Sequence, residues 1–174
     1  MRVRGTVRHD IKQLASTLNS WLVNHGNVTL VTAESLTGGG VSAALTAIPG
    51  TSSYFLGGIV AYSNPAKADL LRVPGAILEN PGAVSEPCAR AMAEGVREVF
   101  GATFSVATTG LAGPGGETER KPVGLVYIAA SGPEGTTVEE HRFDGDRESI
   151  TEEAIHAALC LLHDRIRIWL DAGN

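Results

Sequence analysis

The sequence of 174 residues lacks long apolar runs, contains only two cysteines and carries no excess of positive charge. No apolar stretch reaches the roughly 18 residues that a membrane-spanning helix needs. The N-terminal segment MRVRGTVRHD has arginines but no apolar core behind them, so it is not typical of a signal peptide. We therefore expect a cytoplasmic protein with no membrane partner.

The two cysteines, Cys88 and Cys160, do not form a Cys-x-x-Cys pair. Isolated cysteines of this kind are typical of buried thiols in a reducing compartment, not of zinc ligands or disulfides. The formal net charge is −5, whereas a general nucleic-acid-binding domain usually carries a basic face. The charge therefore argues against a nucleic-acid partner, although it leaves room for a small local basic site.

The composition is that of a globular protein, with 43% hydrophobic and 19% charged residues. A chain of this length can bury a sizeable core and is expected to form one domain. No linker, internal repeat or low-complexity tract interrupts it. We therefore treat residues 1–174 as a single domain.

Apolar periodicity and turn residues predict alternating helices and strands along most of the chain. The predicted helices span 10–24, 39–48, 63–71, 85–101 and 147–170, and the predicted strands span 28–33, 57–62, 104–109, 123–130 and 137–143. The last two strands are expected to form a hairpin across the segment SGPEG. This alternation predicts an α/β fold, with one mixed β-sheet flanked by helices.

Three segments rich in small or hydroxyl residues follow predicted strands. They are AESLTGGG (33–40), YSNPAK (62–67) and TGLAGPGG (109–116). Ligands of α/β sheets usually bind at the carboxyl ends of strands. Glycine in any one segment could serve only a tight turn, but three such segments at neighbouring strand ends favour a binding site.

Several familiar site types are disfavoured by the sequence. The glycine-rich segments match neither GxxxxGK[ST] nor GxGxxG, and Ser35 lacks the GxSxG frame of a nucleophile elbow. Glu pairs at 139–140 and 152–153 are more typical of solvated charges than of metal ligands, so we predict no metal and no cofactor. None of the histidines adjoins the three segments, which disfavours a Ser-His-Asp triad: His9, His25, His141, His156 and His163.

A lysine or tyrosine remains as an activator for the serine, and Tyr62 and Lys67 are the candidates. Asn64 as the cap and Pro65 at the first position predict a helix start that places Lys67 in the first helical turn. The helix dipole there disfavours a protonated lysine, and burial would lower its pKa further. Spacing alone also allows Lys67 to be an ordinary surface lysine.

Five blocks of the sequence are shared with a known family: TAESLTGG (32–39), PGTSSYFLGGIVAYSNPAKADLL (49–71), GAVSE (82–86), TTGLAGPGGETERKPVG (108–124) and FDGDR (143–147). On these blocks the chain resembles the C-terminal domain of the competence-damage-inducible protein A family, which also occurs alone as nicotinamide-nucleotide amidohydrolase. The resemblance covers about residues 10 to 170. Two positions depart from many relatives: Leu36 replaces a cysteine, and the acidic ESITEE (148–153) lies where a second arginine is frequent.

The resemblance implies hydrolysis of the carboxamide of nicotinamide mononucleotide to nicotinic acid mononucleotide and ammonia. It assigns the nucleophile to Ser35, with Tyr62 and Lys67 as its activating groups. Backbone N–H groups of the 35–39 turn are expected to hold the oxyanion, the 109–116 loop to enclose the nucleotide and Arg147 to neutralise its phosphate. The expected substrate-binding residues are therefore Thr37, Gly38, Gly39, Thr109, Gly110, Ala112, Gly113 and Arg147.

Two alternatives to the enzyme remain at this stage. One is a nucleotide-binding or regulatory module that kept the pocket but lost the chemistry. The other is an accessory of DNA uptake, which only the family name suggests and which the acidic charge disfavours. Retention of Ser35, Tyr62 and Lys67 together favours the enzyme. A domain of this family is also expected to self-associate into a homo-oligomer.

Overall fold

A five-stranded mixed sheet forms the centre of the computed structural model, which describes residues 4–173. Its strands are β1 (Leu30–Glu34), β2 (Phe55–Val60), β3 (Phe104–Gly110), β4 (Leu125–Gly132) and β5 (Gly135–Arg142). Their order across the sheet is β2-β1-β3-β4-β5. Strand β1 is parallel to both β2 and β3, whereas β3, β4 and β5 pair in antiparallel fashion. The predicted α/β fold with a mixed sheet is confirmed.

Six helices lie within the described residues and surround this sheet. They are α1 (Arg4–Asn24), α2 (Gly40–Thr46), α3 (Asn64–Leu71), α4 (Gly75–Ile77), α5 (Glu86–Phe100) and α6 (Arg147–Asp171). Helices α1, α2 and α6 pack on one face, and α3 and α5 pack on the other. No helix among residues 4–173 combines the length and the apolar character that crossing a membrane requires.

Two apolar cores hold the layers together, one on each face of the sheet. Strand β3 contributes to both, because successive side chains point to opposite faces: Val106 joins the α1/α6 core and Ala107 joins the α5 core. All five residues of β1 are buried, as expected for a parallel strand covered by helices on both sides. The parallel strands are therefore held by packing on both faces of the sheet, which fixes the position of their carboxyl ends.

Several predicted boundaries differ from the structure. Helix α1 begins at Arg4, six residues before its predicted start, because the buried Val7 extends the apolar spacing of Ile11, Leu14 and Leu18 by one further turn. The β4–β5 hairpin is longer than predicted and turns tightly at Pro133 and Glu134, with Gly135 at φ +105°. Of the two cysteines, Cys88 is buried as expected, but Cys160 is partly exposed.

Candidate functional site

The carboxyl ends of β1, β2 and β3 meet at one edge of the sheet, where Glu34 pairs in register with Val60 on one side and Thr108 on the other. The three segments that follow these strands therefore adjoin each other. Between them lies a cleft of about 250 Å³. It is lined by Ser35, Leu36, Tyr62, Asn64, Lys67, Ala83, Val84, residues 109–115 and Arg147.

Ser35 and Lys67 contact each other at the base of this cleft. The Nζ atom of Lys67 lies 3.0 Å from the Oγ atom of Ser35. Both side chains are buried, with 2% of Lys67 and 8% of Ser35 exposed. Lys67 is therefore not the surface lysine that spacing alone allowed.

The remaining contacts of Lys67 are with two backbone carbonyls. Nζ donates to Ala61 O at 2.9 Å and to Tyr62 O at 3.5 Å. A neutral amine has two N–H donors and one lone pair, so these carbonyls can take both donors while the lone pair accepts the hydroxyl proton of Ser35. A protonated amine has three donors and three acceptors in the same positions. A proton can thus pass between Ser35 Oγ and Lys67 Nζ without the loss of any of these three hydrogen bonds.

Burial is the main reason that the pKa of Lys67 is lowered from its ordinary value of 10.5. The nearby Cys88 acts in the opposite direction, but burial in turn raises the pKa of that thiol. The helix start also differs in detail from the prediction. Ser63 is the N-cap of α3, with its hydroxyl accepting from Ala66 N, so the predicted cap Asn64 is the first helical residue.

Ser35 follows β1 at the start of a tightly bonded turn. Ser35 N donates to Thr108 O at 3.0 Å, and Gly38 N donates back to Ser35 O at 3.1 Å. The side chain of Glu34, 1% exposed, lies beneath the turn and accepts five hydrogen bonds from residues 37–42. The nucleophile candidate therefore sits on a backbone that is fixed from both sides.

Three predicted substrate-binding residues, Thr37, Gly38 and Gly39, do not line the cleft. The Thr37 hydroxyl donates to Glu34 Oε2 at 2.7 Å, and Gly39 N donates to the same oxygen at 3.0 Å. Within residues 4–173, the N–H groups of Leu36 and Thr37 have no hydrogen-bond partner. The part of the turn that is available to an oxyanion is thus narrower than the predicted 35–39 range.

Tyr62 and Arg147 meet at the open side of the cleft. One arm of the Arg147 guanidinium donates to Tyr62 Oη at 2.6 Å, and the other donates to Gly113 O at 2.7 Å. Tyr62 is 59% exposed, and its phenol is hydrogen-bonded to Arg147 rather than to Ser35 or Lys67. Arg147 thus bridges two of the three loops while keeping further N–H donors for a ligand.

The N-terminus of α6 is already capped by a carboxylate. Its N-cap, Asp146, accepts from Ser149 N at 2.9 Å and from the Ser149 hydroxyl at 2.7 Å. A carboxylate therefore occupies the place at which a phosphate would bind the helix end. Any anion here would depend on the Arg147 side chain rather than on the helix N–H groups.

The other predicted binding residues, Thr109, Gly110, Ala112 and Gly113, all line the cleft. The Thr109 hydroxyl donates to Ala83 O at 2.7 Å and so brings residues 83–84 to the cleft wall. Sequence reasoning missed Ala83 and Val84, because an apolar pair in a loop carries no chemical signal. It also missed Asn64, which lines the cleft one helical turn before Lys67.

No histidine lines this cleft. In the part of the chain that the structure describes, no group of three or more His, Cys, Asp or Glu residues is arranged to hold a metal ion. At its base the cleft presents a buried hydroxyl beside a buried amine.

Comparison with known proteins gives consistent matches. The model of the CinA C-terminal domain family matches residues 11–166. A CinA-like protein of Prochlorococcus marinus is 52% identical over 165 residues, which are 95% of this chain and 38% of that protein. Another, from Parasynechococcus marenigrum, is 54% identical over 134 residues, which are 77% of this chain and 32% of that protein. The chain thus spans about a third of the length of these curated relatives.

Solved structures match over almost their whole length. The competence/damage inducible protein CihA from Agrobacterium tumefaciens is 41% identical, with a TM-score of 0.85 over 88% of this chain and 93% of that one. The competence damage-inducible protein A from Klebsiella pneumoniae is 33% identical, with a TM-score of 0.87 over 91% of this chain and 98% of that one. The predicted resemblance is confirmed, and this chain belongs to the CinA C-terminal domain family.

Proposed function

We propose that this protein hydrolyses the carboxamide of nicotinamide mononucleotide, giving nicotinic acid mononucleotide and ammonia. The observation that carries the proposal is the contact between Lys67 Nζ and Ser35 Oγ, 3.0 Å apart and buried. A serine needs an adjacent base to become a nucleophile. Burial of Lys67 lowers its pKa and so increases the fraction of neutral amine that can act as that base.

In the first half of the reaction, neutral Lys67 takes the proton of Ser35 as Oγ attacks the amide carbon. The tetrahedral intermediate carries its negative charge on the former carbonyl oxygen. The N–H group of Leu36, which lines the cleft and has no hydrogen-bond partner among residues 4–173, is the proposed donor to that oxygen. Lys67 then gives its proton to the departing nitrogen, the C–N bond breaks, and ammonia leaves an ester on Ser35.

In the second half, water attacks the ester carbon and Lys67 takes a proton from the water. The bond to Ser35 breaks, and the proton returns from Lys67 to the serine oxygen. The product is the carboxylic acid, which ionises at neutral pH. One water is consumed and one ammonia is released, with Ser35 and Lys67 restored.

The rim of the cleft suits the nucleotide part of the substrate. At about 250 Å³, the cleft is small beside the roughly 300–1,000 Å³ of typical small-molecule sites, so a nucleotide would fill it and extend outward. Arg147 lies at that open side and is the proposed phosphate ligand. A planar guanidinium is well suited to bind phosphate oxygens in pairs.

The test is ammonia release from nicotinamide mononucleotide by the purified protein, with product identity checked by mass spectrometry. Wild type is expected to release one ammonia per nicotinic acid mononucleotide, and to do so equally after dialysis against a strong chelator. Binding of the mononucleotide without ammonia release would favour a regulatory module instead. Loss on chelation with recovery on adding a divalent ion would contradict the serine mechanism.

A further inference from the structure

We propose that Glu34 is a positioning residue that holds the Ser35 nucleophile in place through the turn, a role that rests on the proposed function. Glu34 is the last residue of β1, directly before Ser35. Its carboxylate is buried but touches neither Ser35 Oγ nor Lys67 Nζ. It acts instead on the backbone that carries Ser35.

Both carboxylate oxygens of Glu34 accept hydrogen bonds from backbone N–H groups. Oε2 accepts from Gly39 N and Val41 N, each at 3.0 Å, and Oε1 accepts from Ser42 N at 2.8 Å. These are N–H groups of the first turn of α2, which have no partner inside the helix. The N-cap of α2 is Gly39, which has no side chain to cap them. Glu34 therefore supplies the missing cap from the preceding strand.

Two hydroxyl chains extend the network beyond the helix. Thr37 Oγ1 donates to Glu34 Oε2 at 2.7 Å, so the Thr108 hydroxyl, 2.8 Å away, must donate to Thr37. Ser42 Oγ likewise donates to Glu34 Oε1 at 2.7 Å, so the Thr32 hydroxyl donates to Ser42. The carboxylate thus ties the turn to β1 and β3 at the same time.

The neighbouring strand leaves room for this network at Gly58. A Cβ atom at Gly58 would collide with Thr32 Oγ1 and would lie 2.7 Å from Ser42 Oγ. Glycine at this position of β2 is therefore explained by the hydroxyls that serve Glu34. The network also accounts for the burial of a charged side chain, which needs several good hydrogen bonds to be tolerated.

Glu34→Gln is the decisive substitution, because it keeps size and shape. A carboxylate only accepts hydrogen bonds, whereas an amide carries two N–H donors on one side. Whichever way the amide is turned, its NH₂ group faces a backbone N–H, either that of Ser42 or those of Gly39 and Val41. The turn must then shift, and Ser35 shifts with it relative to Lys67. A displacement of about 1 Å can cost about 100-fold in rate.

The matched control is Thr51→Val. The Thr51 hydroxyl donates to Leu45 O and Ile48 O and so secures the opposite end of α2. This variant destabilises the same helix but leaves the turn intact. Ser42→Ala is a milder second variant, because it removes one of the five bonds and keeps the carboxylate.

The experiment measures kcat and KM for the mononucleotide, the rate of Ser35 labelling by a fluorophosphonate probe, and the thermal unfolding midpoint. We expect Glu34→Gln to lower kcat and the labelling rate by about 100-fold with KM within about threefold. Ser42→Ala should lower kcat and the labelling rate by a smaller factor. Thr51→Val should keep the wild-type kcat although its thermal unfolding midpoint is lower.

A purely structural Glu34 would give the opposite pattern, with kcat per folded molecule unchanged in Glu34→Gln and Ser42→Ala; that result would overturn the inference. If Glu34→Gln fails to fold, Ser42→Ala and Thr51→Val decide, since only the former is expected to slow labelling. The labelling rate needs no natural substrate. It therefore tests Glu34 even if the wild type releases no ammonia from the mononucleotide, a result that would count against the proposed function alone.

Discussion

The β1–α2 turn and the β3–β4 loop flank the same cleft but are held very differently. In the turn, residues 34–37 are all buried, and Glu34 alone accepts five hydrogen bonds. In the loop, residues 114–120 are all exposed. The loop is bonded mainly at its base, between Leu111 and residues 124–125, and near its tip, between Thr118 and Lys121.

This difference separates the two tasks, chemistry and substrate binding, that the proposed function requires. The atoms proposed to react, Ser35 Oγ and Lys67 Nζ, belong to the constrained side, where a small displacement is costly. The loop lines the cleft with Gly113 and its neighbours, at the side through which a nucleotide would enter. Substitutions in the turn should therefore change the rate of chemistry, whereas substitutions at the rim should change binding.

The largest effect is expected at Ser35. Ser35→Ala removes the proposed nucleophile but leaves the walls of the cleft intact. It should bind the mononucleotide within roughly tenfold of wild type, about 1.4 kcal/mol, and lose turnover by several orders of magnitude. Calorimetric binding and ammonia release measure the two separately. Substantial residual turnover would mean that water is activated directly and that no acyl-enzyme forms.

Lys67 should show the next largest effect, together with a change in pH dependence. Burial lowers the pKa of Lys67, and only the neutral amine can act as base, so kcat/KM of wild type should rise with pH and level off below the ordinary lysine range. Lys67→Arg should lower kcat/KM by about 100-fold or more, since guanidinium stays protonated. The rising limb of the pH profile should also be absent from this variant. The exposed Lys12→Arg is the matched control.

Lys67→Met adds a stability test of the same assignment. Because the pKa of Lys67 is lowered on folding, the unfolded chain binds more protons between the lowered value and about 10.5. Wild-type stability should therefore rise with pH across that window. Lys67→Met lacks this dependence, so the unfolding midpoint of wild type should rise relative to that of Lys67→Met as pH rises. A pH-independent difference would place Lys67 outside the buried environment described above.

Arg147 at the rim should affect binding more than chemistry. Arg147→Ala should raise KM for the mononucleotide by about tenfold with kcat within about threefold, corresponding to about 1.4 kcal/mol of lost binding. Nicotinamide riboside, which lacks the phosphate, should be a poor substrate and should be little affected by the substitution. The exposed Arg142→Ala serves as the control. Equal activity on riboside and mononucleotide would remove the phosphate role from Arg147.

Tyr62 provides a further contrast within the same rim. Its phenol is held by Arg147 and not by Ser35 or Lys67. Tyr62→Phe is therefore expected to keep kcat within about tenfold of wild type, a smaller loss than that of Lys67→Arg. A loss as large as that of Lys67→Arg, with the rising pH limb abolished, would instead make Tyr62 part of the proton transfer.

Much of this site could be read from the sequence because it follows from strand order. Parallel strands end at one edge, so the segments after β1, β2 and β3 had to be neighbours. The helix start predicted at residues 63–65 left Lys67 open as an activator of Ser35 or an ordinary surface lysine, and the family resemblance assigned it the first role. The sequence did not indicate which way the polar groups of the turn point. The Thr37 hydroxyl and the Gly39 N–H both point to the Glu34 carboxylate instead of the cleft. The pattern AESLTGGG does not distinguish a carboxylate that caps a helix from one that binds a ligand.

The smallest expected effect compares two glycines with similar backbones on the two sides of the cleft. Gly38 in the turn has φ +59° and Gly115 in the loop has φ +82°, and an added Cβ would meet nothing within 4 Å at either position. Substitution by alanine in a left-handed conformation costs about 1–2 kcal/mol where the backbone cannot relax. Any difference between Gly38→Ala and Gly115→Ala therefore reports on how firmly each segment is held.

In the turn, Gly38 N is bonded to Ser35 O and Gly39 N to Glu34, so the strain must remain. Gly38→Ala should lower the unfolding midpoint by about 2–4 °C for each kcal/mol of stability that is lost. Gly115→Ala should shift the midpoint by less than about 1 °C, because the exposed loop can relax. Gly38→Asn should recover part of the loss, because asparagine tolerates the left-handed region better than alanine. Differential scanning calorimetry of the three variants measures this directly. Equal shifts at Gly38 and Gly115 would mean that the turn carrying Ser35 is no more constrained than the loop opposite. The proposed division between a fixed side for chemistry and an adaptable side for binding would then fail.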